Sequence, residues 1–250
     1  MKRKIAFFMI AAVVAGALAQ SSVDATALVN RADMKRRGKT SSAVMTMTLI
    51  RPDWKRTVSM KAWSLGTAYN LILITAPAKE KGQAFLKREN EMWNFVPAID
   101  RIIKLPPSMM GQSWMGSDFT NDDLLKESSL GSDYTHVVLG EDTTGGQKCW
   151  KIEARPKEGA AVVWDKLILW ITRENENIVR TERYDEDGDL MSVETADRIR
   201  KIDDRVIPTR MEMAPADKKG HRTILEISEA RFDRPIEKSF FSEQNLKRVR

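Results

Sequence analysis

The spacing of apolar and polar residues changes once along the chain, and that change sets the expected architecture. Over residues 23–37, Val23, Ala27, Leu28, Ala32 and Met34 recur at helical spacing, and Arg36-Arg37-Gly38 provides cations and a glycine stop. Beyond Gly38 the pattern alternates. Residues 43–51 set Met45, Met47 and Leu49 against Val44, Thr46, Thr48 and Ile50, and residues 56–65 place Val58, Met60 and Ala62 on one face. Further strands are predicted over 69–75, 83–88, 92–96 and 101–105. After a break they resume over 134–141, 148–155, 164–172, 178–184, 190–201, 206–214 and 222–232. Pro52-Asp53, Glu89-Asn90, Gly145-Gly146, Asn175-Glu176-Asn177 and Asp187-Gly188 fall between them as turns. A dozen strands joined this way predict an α+β, mainly β chain: one large, curved antiparallel sheet with a few covering helices. No linker or composition shift divides it.

The strand faces carry more information than the strand count. A sheet with one wet face alternates cleanly with polar residues. Here Met45, Met47, Leu49, Val58, Met60, Leu71, Leu73, Phe85, Leu167 and Leu169 lie on strands whose other face is often apolar too. Two apolar faces need two coverings, either helices or a hollow that holds something apolar. A sheet packed solidly on its own helices gives the same pattern. These residues, with Trp93 and Phe95, are the candidates for lining a hollow.

The segment 105–116 is unlike the rest. Met109, Met110, Trp114 and Met115 sit among prolines and glycines, too apolar for a solvated loop and too broken for a long helix. It is expected to lie on an apolar surface, either as an adaptable lid or as a packed plug. Thr120 then reads as a helix cap, with Asn121-Asp122-Asp123 in the first turn where the helix dipole favours carboxylates. That accounts for the acidic cluster without a metal.

Charge and the N-terminal residues fix the expected compartment. Lys2, Arg3 and Lys4 precede an apolar stretch, and Ala17-Leu18-Ala19 offers small residues to a signal peptidase. The fifteen residues 5–19 fall short of the ~20 that span a bilayer. A signal peptide over 1–19 and a single domain over 20–250 are therefore expected, placing the protein in a periplasm. The whole chain carries +6, from 41 Lys and Arg against 35 Asp and Glu. Removing 1–19 leaves +3 on 231 residues, a poor balance for nucleic-acid binding. The basic tail Lys247-Arg248-Val249-Arg250 reads as a solvated end.

Candidate chemistry is sparse. One cysteine, Cys149, forms no internal disulfide, and with His136 and His221 it falls short of a four-ligand zinc site. No nucleophile elbow, zincin helix or phosphate loop is present. Asp185-Glu186-Asp187-Gly188-Asp189 lacks the twelfth-position carboxylate of a calcium loop, where Ala196 stands. No catalytic residue, metal or cofactor is expected.

Four stretches in order carry a resemblance: Gly82-Gln83-Ala84-Phe85-Leu86, Trp93-Asn94-Phe95-Val96-Pro97, Ile103-Lys104-Leu105-Pro106, and Gly116-Ser117-Asp118-Phe119-Thr120-Asn121-Asp122-Asp123-Leu124. Ile207-Pro208, Phe241-Ser242 and Asn245-Leu246 extend it. From about Ala27 onward the chain resembles the LolA-like outer-membrane lipoprotein-sorting family. That resemblance implies a half-open β-barrel with helices over its mouth. It also implies a periplasmic carrier, working as a monomer, that holds lipid or lipoprotein acyl chains between an inner-membrane donor and an outer-membrane acceptor. No motif fixes a cargo-binding arginine. Two other functions stay open: an envelope sensor or adaptor that binds lipid or peptide, and a metal-dependent lipid hydrolase.

Overall fold

The computed structural model describes residues 23–89, 91–126, 130–160 and 162–249. The leader expected over 1–19 lies outside the described residues. Helix α1 (Ala25–Arg37) is capped by Asp24, whose side chain accepts from the Ala27 N–H. It ends at Gly38, at a positive φ of 74°, whose N–H donates to the Met34 carbonyl. A side chain there would meet the Thr40 carbonyl at 2.9 Å, so glycine suits the site on two counts.

Thirteen antiparallel strands follow among the described residues. They are β1 (Thr40–Ile50), β2 (Lys55–Leu65), β3 (Tyr69–Ala76), β4 (Ala84–Arg88), β5 (Glu91–Val96), β6 (Arg101–Leu105), β7 (Tyr134–Thr144), β8 (Gln147–Pro156), β9 (Lys166–Thr172), β10 (Ile178–Tyr184), β11 (Leu190–Ile202), β12 (Arg205–Pro215) and β13 (Arg222–Phe232). Their order in the sheet is β6-β5-β4-β3-β2-β1-β13-β12-β11-β10-β9-β8-β7. Each half is a meander, and the β1–β13 pairing joins the halves. β6 and β7 form the two edges, so the barrel is open. Gly145 and Gly146, at φ of 55° and 75°, make the two-residue β7–β8 turn. Two short helices, α2 (Leu130–Asp133) and α3 (Glu243–Leu246), also lie among the described residues, with short helical turns between β5 and β6, between β6 and α2, and before α3.

The sheet is apolar on both faces at β3–β5, where both are covered. On the inner face, Met47, Leu49, Val58, Met60, Ile72, Ile74 and Phe85 pack beneath Trp114 and Phe119 of the β6–α2 connection. Farther along the same face, Leu28, Val29 and Ala32 of α1 pack on Ile152, Leu167, Leu169 and Ile171. The outer face of β3–β5 is covered by the C-terminal segment, where Phe241, Leu246 and Val249 meet Leu71, Leu73, Leu86, Trp93 and Phe95. Leu71, Leu73, Trp93 and Phe95 therefore face away from any inner hollow. Ile72, Ile74 and Phe85 take the inner positions that strand alternation leaves.

Candidate functional site

Between α1, the β6–α2 connection and the sheet lies a cavity, and its origin is a row of small side chains. Ala43 on β1 stands opposite Ala62 on β2 and Ala230 on β13. These three alanines line the cavity side by side. One row along, Met45 stands opposite Met60 and Ile227; one row the other way, Ser41 stands opposite Ser64 and Phe232. Three adjacent strands that each offer only a Cβ leave a trough that their larger neighbours do not fill. Phe119, Leu124, Leu130, Leu167 and Met211 close it over and around. About 170 Å³ is open to the centre of a water molecule. A single water needs ~10–15 Å³ on that measure, so this is not a packing defect of one missing methyl group.

Of the residues expected to line a hollow, Met45, Met60 and Leu167 line this cavity. Met47, Leu49, Val58 and Phe85 belong to the solid core beside it. Leu169 packs beneath α1. Leu71, Leu73, Trp93 and Phe95 lie on the opposite face.

The segment expected as lid or plug is pinned. Trp114 is fully buried, with its ring 5.1 Å from Phe85, and Met110 and Met115 pack against the same core. The Met109 carbonyl accepts from Asn121 Nδ2 at 2.8 Å. Arg51 on the β1–β2 turn donates to Asp118 and to the Gly116 carbonyl, both at 2.9 Å, and Arg56 donates to the Met115 carbonyl. Thr223 of β13, itself buried, donates to Asp118 at 2.7 Å. In this structure the segment is packed on the core and tied to β2, β13 and the β1–β2 turn.

Thr120 does cap the next turn. Its Oγ1 accepts from the Asp123 N–H at 3.0 Å, and Asp123 Oδ2 accepts from the Thr120 N–H at 2.8 Å, a reciprocal capping box. The other oxygen of Asp123 has a second task. Arg183 Nε on β10 donates to Asp123 Oδ1 at 3.2 Å, and Arg183 Nη2 donates to Glu194 on β11 at 2.6 Å. All three side chains line the cavity. Burial works against the Arg183 charge, but Asp123 and Glu194 outweigh it and hold the guanidinium above the ordinary arginine range. The sequence reading missed this cluster, because the charges meet only through pairing of distant elements. It also missed the alanine row, whose signal was small residues at inner positions of three predicted strands. Among the described residues, no group of three or more His, Cys, Asp or Glu stands close enough to hold a metal ion. No described helix is long and apolar enough to cross a membrane.

Comparison with known proteins bears on the fold. A structure named an outer membrane lipoprotein-sorting protein domain, from Vibrio parahaemolyticus, is 23% identical, with a TM-score of 0.79 over 89% of this chain and 98% of that one. A DUF1329 family protein from Desulfovibrio piger is 24% identical, with a TM-score of 0.80 over 88% and 97%. A LolA superfamily protein from Nitrosomonas europaea is 22% identical, with a TM-score of 0.77 over 88% and 98%. No curated protein matches the chain in sequence. The model of a family described as "-like: Uncharacterized protein" matches residues 66–248, well over half of the chain. The chain belongs to the family of that model, and its fold is that of the LolA-like group.

Proposed function

We propose that the protein is a periplasmic carrier that takes lipid or lipoprotein acyl chains into the alanine-floored cavity and moves them towards the outer membrane. The observation that supports this most is the row Ala62, Ala43 and Ala230. An inner face that elsewhere packs solidly is left open where three small side chains align. The LolA-like fold and the lipoprotein-sorting names of similar structures agree with it. So does the leader expected over residues 1–19, which would send a single domain of residues 20–250 to the periplasm.

The energetics define what such a protein must do. An acyl chain of 16 carbons gains ~0.8 kcal/mol per buried CH₂, so leaving a bilayer for water costs on the order of 12 kcal/mol. A cavity lined by methionine, leucine and alanine replaces the bilayer for part of that chain. Methionine suits a wall that must accept chains of differing shape. Handover then requires an acceptor that binds the cargo more tightly than the carrier does. No catalytic step is needed, and the half-buried carboxylates Asp123 and Glu194 are engaged with Arg183.

The test is the lipid content of the protein. Purified without detergent from its own envelope and extracted into organic solvent, the protein should yield bound acyl lipid by mass spectrometry. Ala62→Phe, with the same melting temperature, should yield little. Equal, trace recovery from both proteins would refute the carrier reading.

A further inference from the structure

The cavity is apolar along its floor but not at the end where α1 meets β1. There Arg37, Ser41, Ser64 and Asn70 line it. Ser41, Ser64 and Asn70 occupy one register row across β1, β2 and β3, adjoining the alanine row. Ser41 Oγ and Ser64 Oγ share one hydrogen bond of 2.7 Å. Two hydroxyls joined by one bond leave one O–H unspent. Asn70 is only 8% exposed, and its amide oxygen has no partner. The Arg37 side chain is 10% exposed, and although Nη2 is bonded to Asp33, its Nε–H has no partner. Leaving such groups buried and unpaired costs about 1–3 kcal/mol each.

The unpaired Arg37 Nε–H and the spare serine O–H are donors, and the unpaired Asn70 Oδ1 is an acceptor. Arg36 and Arg37 both line this end and share one carboxylate, that of Asp33, which leaves the trio net positive. A hydrocarbon tail lying over Ala43, Ala62 and Ala230 with its polar head towards β3 would bring acceptor oxygens to that row. We infer that the Arg37–Ser41–Ser64–Asn70 end of the cavity is a head-group subsite that selects amphiphiles bearing an oxygen-rich acceptor head, a carboxylate or a phosphate, and orients them tail-first towards Phe119 and Met211. This rests on the carrier reading and adds to it a class of head group and a direction of insertion.

The test is competition on the delipidated full-length protein, with displacement of the neutral dye N-phenyl-1-naphthylamine as the readout. Hexadecanoate, lysophosphatidylglycerol and hexadecylamine share a long tail and differ in the head. One or both acceptor heads should displace the dye at a concentration roughly tenfold or more below that of the amine, the worth of one hydrogen bond to a charged group. The better of the two tells carboxylate from phosphate. Arg37→Gln and the double variant Ser41→Ala/Ser64→Ala, checked for folding by thermal melting, should each reduce the advantage of the acceptor heads over the amine. The double serine variant alone suffices if Arg37→Gln does not fold. Equal displacement by all three compounds, or an unchanged preference in the folded variants, would overturn the subsite and leave the carrier reading intact. Failure of all three to displace the dye would overturn both.

Discussion

Asp123 and Arg183 meet at 3.2 Å inside the cavity, joining the capped turn after the packed segment 105–116 to strand β10. Asp123 is bonded at both oxygens, to Thr120 through one and to Arg183 through the other. With Glu194 completing the cluster, one guanidinium compensates two carboxylates whose side chains are 9% and 15% exposed. Removing the cation strands both anions. Arg183→Met should therefore lower unfolding stability by about 3–5 kcal/mol, the usual cost of breaking a buried pair from one side. Urea denaturation at neutral pH measures it. A loss below about 1 kcal/mol would mean that water reaches the cluster and the pair is effectively exposed.

The alanine row predicts the opposite sign. Ala43→Leu or Ala62→Phe would put apolar atoms into the trough that the small side chains leave open. Filling a cavity commonly stabilises by about 0.5–2 kcal/mol. The melting temperature should hold or rise while recovery of bound lipid falls. The control is Met47→Leu in the solid core alongside, which should leave lipid recovery alone. A filled variant that keeps its lipid would place the cargo elsewhere.

The particular residues show why the strands were legible in the sequence and the cavity was not. Alternation and turn residues are local, so Met45, Met47 and Leu49 fall on one face as expected, and Gly145-Gly146 turns the chain where it should. Where both faces of a strand are apolar, period two cannot say which is inward. Leu71 and Leu73 look no different in sequence from Ile72 and Ile74, and only the C-terminal segment, more than 160 residues later, takes one pair outward. A vacancy is harder still to read, because it arises where small residues align across strands. That Ala43 faces Ala230 depends on register between the first strand and the last, shifted by a bulge at Val44/Met45. Large apolar residues mark the core beside the hollow.

The outer covering gives a further prediction. Phe241 is 1% exposed, 5.7 Å from the Tyr69 ring and 5.4 Å from Phe240, which in turn meets Trp63 edge-on at 5.5 Å. It holds the C-terminal segment on Leu71, Leu86 and Trp93. Phe241→Ala should cost about 3–5 kcal/mol, and removing residues 236–249 should do at least as much harm by uncovering that face. Chemical denaturation checks the first; aggregation on truncation checks the second. A nearly neutral Phe241→Ala would show that the segment contributes little to covering β3–β5.

Stability should also depend on pH through His136. Its Nε2 bonds to the Leu130 carbonyl at 2.9 Å and its Nδ1 to Thr26 Oγ1 at 3.2 Å, so one imidazole ties β7 to α1 and α2. Burial pushes its pKa below the ordinary 6.5; the Leu130 bond pulls the other way and Lys157 adds to the depression. The folded state thus prefers the neutral ring more than the unfolded chain does. As pH falls through about 6.5 the unfolded chain takes up the proton first, so stability declines from there down to the lower folded pKa and stays lost below it. The carboxylates held below their ordinary range, Asp142 by Trp170 and Glu176 by Arg31 among them, lose stability in the same direction but only near and below their ordinary 3.8 and 4.5. The two windows are separate. Unfolding stability measured between pH 7.5 and 5 should therefore slope downward in the native protein, and His136→Gln should reduce that slope while costing some stability at pH 7.5. An unchanged slope in the variant would assign the acid sensitivity to another group.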